Sequence, residues 1–182
     1  MSIYSLVDGI FVSNFGGKQA FAAVNFAWPV IMILVSIGMM FGAGGSALLG
    51  KVFVEGEEEK AQRTFTMIVW LSVTIGVIVA ILAFFLLPYI FQWIGAEGEM
   101  LSLSTTYGRI LLVGLPAYII QYEFQGLFNT AERPKLGLLM SLISGLLNVL
   151  LDGLLVGLAN MGVAGAALAS TVSHIAGAII PV

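Results

Sequence analysis

The stretch FTMIVWLSVTIGVIVAILAFFLLPYIFQWI, residues 65–94, contains no charged side chain. A helix needs about 20 apolar residues to cross the hydrocarbon core of a bilayer. The run is continuous, whereas an outer-membrane barrel strand alternates, so it predicts a membrane helix and not a strand. The rest of the chain has the same character. It is 59% hydrophobic and 9% charged, with a mean hydropathy of +1.05. Soluble domains carry about 25% charged residues. A surface this poor in charge cannot keep a globule dispersed in water, so the solvent is lipid. The net charge of -3 gives no signal for nucleic acid or acidic partners. With no cysteine and one histidine, disulfides, thiol chemistry and a structural zinc site are not expected. The first residues lack a basic region and a small-residue cleavage site, so no cleavable signal peptide is expected.

Six hydrophobic segments follow from the pattern, at about residues 3–15, 21–50, 65–94, 105–130, 135–159 and 163–182. The first is too short to span alone, and the last is still apolar at Val182. The first and last helices are therefore expected to be truncated. Lys51, Lys60 and Arg63 follow the second segment, and Arg133 and Lys135 follow the fourth. The intervening loops hold Lys18 alone, so the positive-inside rule places the two basic loops in the cytoplasm. Arg109 does not fit this division, because it lies inside the fourth segment toward the other side. The acidic run Glu57, Glu58 and Glu59 suits a solvated helix start. Gly38, Gly42, Ser46 and Gly50 recur at every fourth residue, which puts small residues on one helix face for close packing. Pro29 and Pro116 are expected to bend their helices.

The polar residues within this oil are the candidates for function. An aspartate near the middle of a membrane helix costs roughly 2.5–3.5 kcal/mol on insertion scales, so it persists mainly where it has a role. Asp152 has Asn148 four residues earlier on the same helix face. Such a pair can hold a proton, or Na⁺ with help from carbonyl and hydroxyl oxygens. Asp8 raises the same question, and its surroundings echo those of Asp152. VDGIFV at Val7–Val12 matches LDGLLV at Leu151–Val156, and the Ala-rich starts GKQAFAAV and GVAGAALA follow them. The echo suggests an internal structural repeat, which transporters often build around a central site. Gln121, Gln125 and Asn129 form a polar stripe on the fourth segment, for cavity lining or for contacts between helices. Glu123 falls on a different face, with the same two roles open. His174, four residues after Ser170, suits either a proton relay or a hydrogen-bonded packing role.

Several stretches together resemble the multidrug and toxic compound extrusion (MATE) transporters, and look closest to the prokaryotic branch. They are SLVDGIFVSNFGGKQAFAAVNFAWPV, MMFGAGGSALLGK, VEGEEEKAQRTF, LLVGLPAYIIQYEFQGLFNTAERPK, LLNVLLDGLLVG and GVAGAALAS. The likeness covers essentially the whole chain, in order. It implies an all-α polytopic membrane protein with the six-helix N-terminal lobe of a twelve-helix, two-lobed transporter. The implied activity is export of organic cations or drugs across the cytoplasmic membrane by antiport against Na⁺ or H⁺, with no enzymatic chemistry and no cofactor besides the coupling ion. Asp8, Asn148 and Asp152 occupy the family's cation-site positions, where Na⁺ could bind. Ser170 stands where many members have Thr, with Thr171 the neighbouring candidate. Gln121, Glu123, Gln125 and Asn129 are candidates for the substrate cavity. His174 stands where Gln is more usual, so no role passes to it. The C-terminal lobe would be the missing partner of the cleft between lobes.

Three other readings compete. A flippase for lipid-linked substrates of the same superfamily would share the helix plan but often has a more basic cavity. Few bases lie within these helices, Arg109 being the main exception. A truncated remnant without transport is the second. An intramembrane aspartyl protease is the third, and the Val-Asp-Gly and Leu-Asp-Gly contexts do not resemble its motifs.

Overall fold

The computed structural model describes Gly9, residues 12–56 and residues 58–179. Six α-helices appear among them: α1 (Gly17–Glu55), α2 (Glu58–Trp93), α3 (Gly98–Val113), α4 (Leu115–Thr130), α5 (Pro134–Asp152) and α6 (Gly162–Ile179). Two π-helical stretches, Val12–Gly16 and Gly153–Leu158, precede α1 and prolong α5. No strand occurs among the described residues. The helices α1, α2, α5 with its π extension, and α6 are each long and apolar enough to cross a membrane. The pair α3 and α4 meets the same criterion only when taken together, with a bend of 60° at the break between them. Most of the expected first segment, and the last three residues of the sixth, lie outside the described residues.

The helices α1 and α2 extend beyond the apolar runs that announced them. Backbone hydrogen bonding within a helix does not depend on hydropathy, so the helix continues through charged residues into the aqueous layer. It stops at Gly56, whose φ of +73° is the left-handed conformation that ends many helices. Glu58 and Glu59 then sit in the first turn of α2, where the positive end of the helix dipole favours them.

The expected fourth segment is broken at Gly114. Pro116 supplies no backbone N–H, and Gly114 turns its own N–H to the Leu111 carbonyl at 3.0 Å. The turn is wedged against α6: a Cβ on Gly114 would stand 2.7 Å from Cγ2 of Thr171. Pro29 and Pro88, by contrast, lie inside unbroken helices.

Parallel packing of α1 on α4 forms the spine of the bundle. Gly38 lies on Ile119, Gly42 on Glu123 and Gly50 on Thr130, so the two helices run side by side in the same direction. The main core gathers Ile31, Leu87, Phe91, Tyr107, Leu111 and Ile119. Meanwhile Trp70, Ile78, Leu82 and Phe85 of α2, and Leu138, Leu142, Leu146 and Leu150 of α5, face outward. Large aliphatic and aromatic side chains on an outer surface are what a lipid solvent selects. The Gly50–Thr130 contact also brings the α1–α2 and α4–α5 turns to one end. Lys51, Lys60, Arg63, Arg133 and Lys135 thus gather at that end. Gln19, Glu99 and Asn160 line a shared cleft at the other.

Candidate functional site

Helix α5 divides its residues between lipid and lobe interior. Leu146 and Leu150 are exposed, while Ser144, Asn148 and Asp152 follow one another at every fourth residue on the buried side. Asp152 is 0% exposed. The seam they form faces α6. Ser144 donates to the Ser173 carbonyl at 2.9 Å, and Nδ2 of Asn148 donates to Oγ of Ser170 at 3.3 Å. Directly after Asp152 the helix widens into its π turn, where the Ala159 N–H reaches back five residues to the Leu154 carbonyl at 2.9 Å. Such π insertions are rare and frequently sit at functional sites. The beginning of α6 packs against this turn, since a Cβ on Gly165 would lie 3.0 Å from the Leu155 carbonyl.

The two hydroxyl candidates separate cleanly. Thr171 donates to the Ile110 carbonyl of α3 at 3.2 Å, on a different face of α6 from the seam. Ser170 is the hydroxyl that meets Asn148. Asp8 lies outside the described residues. Beyond Gly9, the described chain resumes at fully buried Val12. The π turn begun there packs against the π turn after Asp152. Both π turns are followed by an Ala-rich helix whose first residue is a glycine at positive φ, Gly17 at +82° and Gly162 at +55°. The echo between the two Asp-Gly stretches is therefore matched by a shared local geometry.

One turn beyond Ser170, His174 stacks on the Tyr118 ring, with centroids 3.7 Å apart and planes 26° from parallel. Its Nδ1 meets the Gln121 side-chain amide. Gly177 leaves room for the Gln121 amide, since a Cβ there would lie 3.0 Å from it. Gln121 thus belongs to the interior of the lobe, adjoining the Asn148–Ser170 seam. Gln125 is half-buried and donates to Oγ of Ser141 on α5 at 3.1 Å, and Asn129 is exposed. Glu123 points the opposite way from Gln121 and Gln125. It is fully buried between α1 and α2, against Gly42 and beside Ser72. The four residues offered as cavity candidates are therefore distributed over four environments. Among the described residues no three acidic or histidine side chains converge. Sequence reasoning passed over Ser144 and Tyr118. The fourfold spacing that paired Asn148 with Asp152 also reaches Ser144, and Tyr118 lies one turn before Gln121.

A family model described as MatE matches residues 1–154. The chain is 24% identical over 173 residues to the multidrug export protein MepA of Staphylococcus saprophyticus, covering 95% of this chain and 38% of that protein. Among solved structures, it superposes with a TM-score of 0.91 on the outward-facing conformation of a multidrug resistance MATE family transporter of the MOP superfamily. The identity is 27%, over 98% of this chain and 39% of that one. An inward-facing structure of such a transporter matches with a TM-score of 0.90 and 27% identity, over 98% of this chain and 41% of that one. The chain thus spans about two fifths of the length of the proteins it matches.

Proposed function

This chain belongs to the MatE family, and from that premise we propose that it forms the N-terminal lobe of a two-lobed antiporter exporting drugs or organic cations. The observation that carries the proposal is the buried Asn148–Asp152 pair with Ser170 against it. A carboxylate, an amide oxygen and a hydroxyl offer the hard oxygen donors that Na⁺ prefers, and the carboxylate alone can take a proton. The family resemblance assigns Asp8, which lies outside the described residues, to the same site. Ion binding at the acids competes with cationic substrate, so each ion that enters releases a substrate that leaves. The lobe matches inward-facing and outward-facing structures equally well. Alternating access is then a rocking of one lobe against the other around the site. The end carrying Lys51, Lys60, Arg63, Arg133 and Lys135 faces the cytoplasm, and the membrane is the cytoplasmic one.

The test uses proteoliposomes holding a two-lobed transporter that contains this lobe. An imposed Na⁺ or proton gradient should drive accumulation of a lipophilic cationic dye, and reversing the gradient should reverse the flux. Dye movement indifferent to both gradients would overturn the antiport reading.

The hydroxyl assignment has its own test. Ser170→Ala removes the oxygen beside Asn148, whereas Thr171→Val removes a hydroxyl bonded to α3. The stabilisation that saturating Na⁺, or a shift in pH, gives the wild type in a thermal melt should fall at least twofold in Ser170→Ala. It should persist in Thr171→Val, although losing that hydrogen bond lowers the baseline stability by about 1 kcal/mol. Equal ion responses in both variants would remove Ser170 from the site.

A further inference from the structure

Arg109 is the base that the orientation rule leaves unexplained. It lies in α3, with Nε donating to the Phe84 carbonyl of α2 at 3.3 Å and the guanidinium 4.9 Å above the Phe84 ring. These contacts hold the side chain but do not neutralise it. Among the described residues no carboxylate comes within ion-pair distance of it, and no acceptor meets its two terminal nitrogens. A charged side chain inside a membrane segment normally pairs with something or reaches the interface. Phe84 stands five residues before exposed Tyr89, roughly 7 Å along the helix. Trp93 and exposed Tyr89 mark that interface as an aromatic belt would. Side chains lean toward the N-terminus of their helix. For Arg109 that is the Gly98 end, on the same side as Trp93.

Beside Arg109 an apolar groove of about 410 Å³ runs between α2 and the bend of α3 and α4. Val77, Ile81, Phe84, Leu112, Val113 and Pro116 line it. The bend at Gly114 opens it by turning α4 away from the line of α3. The groove faces outward, with Val113 72% and Phe85 66% exposed. Its volume falls in the range of small-ligand sites, about 300–1,000 Å³.

We propose that Arg109 and this groove bind one anionic phospholipid of the surrounding bilayer, its phosphate on the terminal guanidinium nitrogens and an acyl chain along the groove. The geometry suits both parts. A guanidinium presents parallel donors that match two phosphate oxygens, and it gives up water more readily than an ammonium does. The groove is apolar along its length, as a hydrocarbon chain requires. The lipid's charge supplies a partner that the described residues do not. The proposal rests only on the chain spanning a bilayer, so it stands or falls separately from the exporter reading.

Native mass spectrometry of the purified chain in detergent, titrated with phosphatidylglycerol or phosphatidylcholine, tests it. The wild type should retain one phosphatidylglycerol with about a fivefold preference, the size expected for one basic side chain on an anionic lipid. Arg109→Gln should reduce the preference to near parity, while Lys51→Gln should leave it intact. Val113→Trp, which fills the groove from an exposed position, should lower the occupancy of both lipids. An undiminished preference in Arg109→Gln would overturn the proposal, and so would full occupancy in Val113→Trp. The second outcome decides the matter even if Arg109→Gln does not fold. Soluble glycerol phosphate competing as well as the lipid would also overturn it, by showing an anion site without a role for the groove. Displacement of the lipid by tetraphenylphosphonium, with Arg109→Gln binding that cation as the wild type does, would assign the groove to a cation and overturn it as well.

Discussion

In a two-lobed transporter carrying this lobe, Asp152→Asn is expected to reduce dye efflux at least tenfold while thermal stability holds or rises. Both halves of the expectation come from burial. Asp152 is fully enclosed on the inner face of α5, and removing a carboxylate from water in a membrane interior is costly. Asparagine has the same shape, keeps an oxygen acceptor and adds a donor, so the α5–α6 seam retains its packing at lower cost. What it cannot do is take a proton or carry a negative charge. An acid kept for structure would show the reverse pattern, with lower stability and efflux falling only as far as the folded fraction falls. Efflux in intact cells, measured beside a thermal melt of the same purified variant, separates the two. Undiminished efflux at normal expression would remove Asp152 from the coupling step. Asn148→Ala supplies a graded comparison. It deletes the donor to Ser170 and leaves the Asp152 carboxyl in place, so efflux should weaken by less than in Asp152→Asn.

The membrane character and the order of helices were legible because hydropathy is summed over long windows and errors at single positions cancel. The Asn148–Asp152 pair was legible because a fixed spacing of four defines one helix face whatever the tertiary context. Other features depend on what a residue meets across a helix contact, and a single chain does not encode that as a pattern. The break at Gly114 needs Pro116 nearby in sequence, and it also needs Thr171 from α6 closing on the turn. Pro29 lies in an unbroken helix, so proline alone does not decide. Ser170 and Thr171 are adjacent and chemically alike, yet one faces α5 and the other α3. A rotation of about 100° per residue separates them, and only the packed bundle says which way α6 is turned. Glu123 shows the same limit. Helical periodicity set it apart from Gln121 and Gln125, but the identity of its neighbours, Gly42 and Ser72, comes from the fold.

The second large effect is expected at the α1–α4 contact. A Cβ on Gly38 would stand 2.6 Å from the Ile119 carbonyl oxygen, and one on Gly126 would stand 2.9 Å from the Gly42 backbone. Both obstacles are backbone atoms, so no side-chain rotation relieves them and the helices must separate. Separation is poorly tolerated here. Between membrane helices the attraction comes from close packing rather than from a hydrophobic force, since lipid tails are as apolar as leucine. The two glycines stand on opposite helices, at different heights along one parallel contact, so each variant opens the seam from a different point. Gly38→Ala and Gly126→Ala should each cost about 2–3 kcal/mol, lowering the melting temperature by about 5–10 °C for a chain of this size. Together they should prevent recovery of monodisperse protein. Gly44→Ala is the control, because it lies on the same helix with nothing within 4 Å of its Cβ position. Alanine also favours helix over glycine by about 1 kcal/mol, so this control should melt no lower than the wild type. A fall in Gly44→Ala as large as in Gly38→Ala would show that α1 resists substitution for reasons other than its contact with α4. If the contact is the cause, efflux in the single variants should decline with the folded fraction and not beyond it. That separates a glycine that holds the lobe together from an aspartate that works within it.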